Sequence, residues 1–209
     1  MFMETTTNAL TSEYANGGAR ECDAEARLGA DRIIFISGNI NDETARYTAA
    51  KLMLMDKASD EDITICIQSP GGSIDAGMII CDMMSLVSCD IRTLAIGNAA
   101  SMGAIIFASG TKGKRYMLPS SRLMIHEPLT GFHGWVSTSE IVAGAESMKL
   151  ARERISEFLA EATGQSVETI KEDIKTDKFF NAKEAVDYGL ADKILDRESY
   201  RDLMVGSAM

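Results

Sequence analysis

Ile91-Arg92-Thr93-Leu94-Ala95-Ile96-Gly97-Asn98-Ala99-Ala100-Ser101-Met102-Gly103-Ala104 is the stretch on which the fold turns. The apolar run Ile91–Ile96 reads as a strand, the small residues 97–100 as a tight turn, and Ala104–Ala108 as the body of a helix that starts at the serine. A strand feeding a helix is half of a βαβ unit. The same stretch presents one hydroxyl between small neighbours. A helix beginning there points free N–H groups and a partial positive charge at any oxyanion formed beside it. Ala-x-Ser-x-Gly is close to the Gly-x-Ser-x-Gly nucleophile elbow without being identical to it. A buried serine in a Gly/Ala-lined helix contact would have the same local sequence.

Outward from this point the pattern repeats. Ile33-Ile34-Phe35-Ile36 is a continuous apolar run, expected for a strand covered on both faces. Asn41 or Asp42 caps a helix to about Met55. Ile63-Thr64-Ile65-Cys66-Ile67 predicts a second strand, Gln68–Gly72 a sharp turn, and a helix follows from about Ile74 to Val87. Arg122-Leu123-Met124-Ile125 predicts a further strand, stopped by Pro128. Strand and helix alternate at least three times, which gives an α/β class with a largely parallel sheet. Residues 137–163 form one long helical pattern closed by Gly164, about 40 Å at 1.5 Å per residue. Its apolar side runs Ile141, Ala145, Met148, Ile155, Leu159 and Ala162, with Arg152 interrupting. Such a stripe either packs on its own sheet or projects onto a neighbouring subunit. Asn181-Ala182-Lys183-Glu184 reads as a capping box for a short helix ending at Gly189.

Composition narrows the classes. The chain has 209 residues, 45% apolar and 25% charged, with a net charge of −10. That is enough for one sizeable domain with its own core. We expect a mobile polar segment over 1–30, a single domain over 31–195 and a tail over 196–209. The acidic balance argues against nucleic acid and anionic membrane as partners. No apolar run approaches the roughly 20 residues of a membrane span, and the first residues lack the basic and apolar regions of a secretory leader. Cys22, Cys66, Cys81 and Cys89 show no Cys-x-x-Cys pair, and two histidines give little support for zinc. We expect no metal and no cofactor, and a reducing cytoplasmic setting.

A serine nucleophile needs a base, and the chain offers His126 and His133. His126 ends a predicted strand and is held by it, whereas His133 lies in the loop Gly131-Phe132-His133-Gly134-Trp135. General-base work needs a held imidazole with a pKa near ambient pH. Pro70-Gly71-Gly72 lets backbone N–H groups face a ligand without side-chain obstruction. One of these glycines, with the Met102 N–H, makes a candidate two-donor oxyanion hole. An ordinary strand-to-helix turn would look the same. Asp173, Asp177, Asp187 and Asp192 all remain open as the carboxylate that orients the histidine.

Several motifs in a fixed order resemble the ClpP family, the proteolytic subunit of the Clp protease. They are Arg32-Ile33-Ile34-Phe35-Ile36, Ser69-Pro70-Gly71-Gly72-Ser73-Ile74, the Gly97–Ala104 stretch, Leu123-Met124-Ile125-His126-Glu127-Pro128, Thr163-Gly164-Gln165 and Asp177–Leu190. The resemblance covers about residues 18–195. It implies a crotonase/ClpP-like spiral of βαβ units with a projecting handle, about 131–163. It also implies Ser101 as nucleophile, His126 as base, Asp177 as orienting acid, and Gly72 and Met102 as oxyanion donors. Gly71, Gly131, Phe132, His133 and Gly134 would contact substrate, which would add as an extended strand beside Gly131–Val136. The implied assembly is heptameric rings stacked as a tetradecamer, fed unfolded polypeptide by an AAA+ Clp ATPase.

Three departures from the family pattern stand out. Lys175 and Thr176 occupy positions where the family usually has an acid and an arginine, which help couple the rings. The handle loop is about two residues longer, through Trp135-Val136-Ser137-Thr138. Ala24, Glu25 and Ala26 stand where aromatic residues help form the ATPase-docking pocket. These favour a divergent paralogue. Its alternative role is a weakly active structural ring subunit that assembles with a more active paralogue. An acyl-CoA enzyme of the crotonase type is a third reading, disfavoured because such enzymes generally rely on carboxylates rather than a Ser–His pair.

Overall fold

The computed structural model describes residues 10–15, 18–131 and 134–205. In chain order the elements are β1 (Leu10–Ala15), β2 (Gly18–Asp23), α1 (Ala24–Ala30), β3 (Ile33–Ile40), α2 (Asp42–Ala58), β4 (Ile63–Gly72), α3 (Ile74–Leu86), β5 (Ile91–Ala100) and α4 (Met102–Ala108). There follow β6 (Arg115–Met117), β7 (Arg122–Ile125), α5 (Thr138–Thr163), α6 (Val167–Asp173), β8 (Lys178–Asn181), α7 (Ala182–Tyr188), β9 (Lys193–Ile194) and α8 (Arg197–Val205). The α/β class is therefore as expected.

Sequence chemistry sets the helix ends. Asn41 caps α2, its side chain accepting from the Thr44 N–H, and Ser73 caps α3 by accepting from the Ala76 N–H. Each such cap satisfies one of the four orphan donors of a helix start. On α2 the buried positions Ala45, Thr48, Leu52 and Met55 recur every three or four residues, the spacing that gives one apolar face. The main core gathers that face with α3, all of α4 and one side of the sheet. Each large apolar side chain buried there contributes about 1.5–3 kcal/mol.

Among the described residues the large sheet has seven strands. β3, β4, β5, β6 and β9 lie side by side in parallel, β7 pairs with β5 in parallel, and β8 pairs with β7 antiparallel. The other face carries a smaller apolar cluster of Ile33, Cys66, Leu94, Leu195 and Leu203. Cys66 is buried there, and burial pushes its thiol pKa up to about 12, so it acts as a small hydrophobe.

Two segments expected to be turns are strand. Gly71 and Gly72 pair with Asn39 and Ile40 of β3 after a register shift, so β4 continues through Pro-Gly-Gly. β5 continues through Ala100 because it changes partner: Thr93–Ala95 pair with β6, and Asn98–Ala100 pair with β7. The bend lies at Gly97, with φ of 110°, and Ser121 holds it by accepting from the Gly97 N–H at 2.8 Å and donating to Ala95 O at 2.7 Å. Within the segment 1–30, β1 and β2 pair as an antiparallel hairpin and α1 is helical. In the tail 196–209, α8 is helical.

α5 is capped at both ends by the residues the sequence indicates. Ser137 and Glu140 form a capping box, and Gly164 takes the left-handed conformation at φ 79°. Only its C-terminal half packs: Ile155, Ser156 and Leu159 are buried. Ile141, Val142 and Leu150 are exposed, so the first half projects. No helix among the described residues is long and apolar enough to cross a membrane.

Candidate active site

Ser101 stands between β5 and α4 with φ 53° and ψ −123°. A non-glycine residue there is strained, and such strain persists only where surrounding structure enforces it. Three bonds enforce it here. The Ser101 N–H donates to Met124 O at 2.8 Å, and its carbonyl accepts from Ala104 and Ile105. Ser101 occupies the N-cap of α4 but its side chain makes no capping bond, so the hydroxyl is left for other work. The Met102 N–H lies in the first turn of α4, where the helix offers no acceptor.

Strand register brings the other side chains to this point. β5 and β7 run in parallel with Ala100 opposite Met124, so Ser101 and His126 both leave the same end of the sheet. β7 and β8 are antiparallel with Ile125 opposite Lys178. One step further along that register puts His126 opposite Asp177. His126 Nδ1 is 3.8 Å from Asp177 Oδ1, with His126 largely buried and Asp177 60% exposed. This is wider than a hydrogen bond. Among the described residues no hydrogen bond joins the Ser101 hydroxyl to His126. Catalytic contacts are often long in an unliganded chain and close on the substrate.

Ser101, His126 and Asp177 line one cavity of about 410 Å³. Pro70, Gly72, Met102 and Glu127 share its wall, with Ile74, Ile105, Met124, Leu129 and Ile155 supplying apolar surface. The arrangement offers a hydroxyl, an imidazole and a carboxylate in sequence, with backbone at Gly72 and Met102 on the same wall. That set suits acyl transfer.

The two glycines have different places. Gly71 lies against Ser101 itself: a Cβ there would be 2.6 Å from Ser101 Cβ and 2.9 Å from Ala100 O. Its N–H is already engaged, donating to Ser69 Oγ at 3.0 Å. Gly71 is not on the cavity wall, whereas Gly72 is. Gly131 and Gly134 lie in the exposed loop between β7 and α5, with open space around each. Phe132 and His133 lie outside the described residues. Gly131 and Gly134–Val136 form no strand in the single chain.

Of the four open aspartates, only Asp177 reaches His126. Asp173 binds Lys178 and Tyr188, Asp187 binds Lys183, and Asp192 binds Arg115. Burial pushes Asp173 up, but its bonds from Lys178 and Tyr188 outweigh this and hold its carboxyl below the usual range.

The sequence motifs alone assign no role to Ser69 or Glu127. Ser69 is buried, donates to Gly38 O at 2.6 Å and receives the Gly71 N–H, so it shapes the end of β4 beneath Ser101. The signal was a serine directly ahead of Pro-Gly-Gly. Glu127 faces Arg152 of α5 with Oε2 3.1 Å from Nε. Its partner was visible as the charge that breaks the apolar stripe of the long helix.

The sequence matches the family model described as Clp protease over residues 16–198. One relative, the ATP-dependent Clp protease proteolytic subunit of Ligilactobacillus salivarius (strain UCC118), is 44% identical over 184 residues, spanning 88% of this chain and 92% of that protein.

Proposed function

The chain belongs to the Clp protease family, and from that premise we propose that it is a serine endopeptidase subunit whose nucleophile is Ser101. The observation that carries the reading is the register: three strands deliver Ser101, His126 and Asp177 to one cavity. In the reaction His126 takes the proton of Ser101 as Oγ attacks the peptide carbonyl. Asp177 orients the imidazole and stabilises its charged form. The N–H groups of Met102 and Gly72 receive the oxyanion, and one such donor is worth about 10²–10³ in rate. Collapse of the tetrahedral intermediate breaks the C–N bond, and His126 gives its proton to the leaving amine. Water then attacks the acyl-enzyme, with His126 again taking and returning the proton.

Ser101→Ala is expected to abolish both peptide hydrolysis and labelling by a fluorophosphonate. A Ser101→Ala chain that still labels and turns over at the wild-type rate overturns the assignment.

The same reading extends to assembly. The exposed apolar residues Ile141, Val142 and Leu150 on the projecting half of α5 support contact with another copy of the chain, and so the stacked heptameric rings. The name of the relative includes ATP dependence, which supports an AAA+ Clp ATPase as the partner that delivers unfolded polypeptide; a cytoplasmic setting is proposed with it. A second reading, a weakly active ring subunit, is favoured by the open His126–Asp177 spacing and the exposure of Asp177. Robust turnover by the purified chain at a native mass of fourteen subunits excludes it.

A further inference from the structure

Arg152 interrupts the apolar side of α5 between Met148 and Ile155, and its contacts lead to the cavity. Glu127 directly follows His126, beyond the last β7 residue, Ile125. The strand ladder therefore stops short of the imidazole. Two contacts of Glu127 take over. Its N–H donates to Ile174 O at 2.7 Å, and its carboxylate lies 3.1 Å from Arg152 Nε. The same guanidinium donates from Nη2 to Lys171 O at 3.1 Å. Lys171 lies in α6 and Ile174 is its C-cap, three residues before Asp177. One guanidinium thus joins the end of β7, the long helix α5 and the segment that leads into β8.

We propose that Glu127 and Arg152 are positioning residues that set the distance between His126 and Asp177. The inference rests on the reading of Ser101 and His126 as nucleophile and base. Both side chains of the pair are about a third exposed, 38% for Glu127 and 32% for Arg152. Such a pair adds little to stability. What it fixes is where the two strand ends sit. His126 and Asp177 stand 3.8 Å apart, so a small shift of either end decides whether they bond. A displacement of about 1 Å at a reacting centre costs on the order of 10²-fold in rate.

The test is steady-state hydrolysis of a fluorogenic peptide, with native mass and melting temperature measured on every variant. Arg152→Met and Glu127→Ala are each expected to lower kcat about tenfold, with KM within about twofold of wild type. Glu127→Asp and Arg152→Lys, which each keep the charge of the ion pair, are expected to recover most of the loss. The double variant Glu127→Ala/Arg152→Met should be no worse than either single one, because both break the same link. A loss confined to KM, additive losses, or no recovery in the conservative variants overturns the proposal. Glu127→Ala acts from the other side of the pair, should Arg152→Met fail to assemble. Fluorophosphonate labelling of wild-type Ser101 reports on the underlying reading by itself. Its absence overturns the nucleophile assignment and this inference with it, whereas labelling with unchanged kcat in both single variants overturns this inference alone.

Discussion

Gly71 shows how little room surrounds the candidate nucleophile. Its φ is +101°, and a methyl group there would meet Ser101 Cβ at 2.6 Å and Ser101 Oγ at 3.0 Å. The obstacle is the strained serine itself, and Ser69 and Met124 pin the backbone on either side. Gly71→Ala is therefore expected to displace Ser101 and lower kcat by about 10²-fold, with about 1–3 kcal/mol of destabilisation from the backbone conformation. Turnover and fluorophosphonate labelling rate, measured beside the melting temperature, check this. An unchanged labelling rate would mean that Ser101 does not depend on the gap Gly71 leaves. The serine, its small neighbours and the glycine pair were all legible in the sequence, because such spacing announces a close backbone approach. The division of labour between the glycines was not, since it depends on which of them lies against Ser101 and which lines the cavity.

At the scale of elements, legibility followed length and capping. α5 and α7 could be read to within a residue, because Ser137, Gly164, Asn181 and Gly189 mark their ends with groups that bond the terminal backbone. β6, β8 and β9 have three, four and two residues, too few to show a period. β8 nonetheless singles out Asp177 from four aspartates, because its antiparallel register sets that residue against His126. The C-terminal half of α5 packs on the chain's own core, and its first half projects from it. Leu159 is fully buried and Leu150 is 71% exposed. Leu159→Ala is expected to cost about 2–5 kcal/mol, read as a lower denaturation midpoint. Leu150→Ala should change the stability of the separated chain by no more than about 0.5 kcal/mol, yet lower the native mass at a given concentration. Equal native mass for Leu150→Ala and wild type would show that this face of the helix is not an interface.

For the whole molecule, the pair Arg115–Asp192 ties the middle of the chain to its C-terminal part. Arg115 is 3% exposed, and its guanidinium grips Asp192 at 2.6 Å and 2.9 Å while donating to Ala162 O near the end of α5. One side chain thus joins β6, the end of α5 and the turn before β9. Burial pushes the Asp192 carboxyl up, but the bonds from Arg115 and Gly113 outweigh it and hold its pKa below the ordinary 3.8. The direction of the linkage follows. A carboxyl whose folded pKa is lowered contributes its full stability above its unfolded value, about 3.9. That contribution is lost as acid carries the pH down through the lowered folded value. Asp192→Asn is expected to cost about 3–5 kcal/mol near neutral pH, since it leaves a buried guanidinium uncompensated. The gap between variant and wild type should narrow as the pH falls below about 4. Urea midpoints for both proteins at neutral pH and across the acid range measure it. A gap that stays constant through that range would mean the pair holds the chain by packing alone, with the charge on Asp192 irrelevant to the fold.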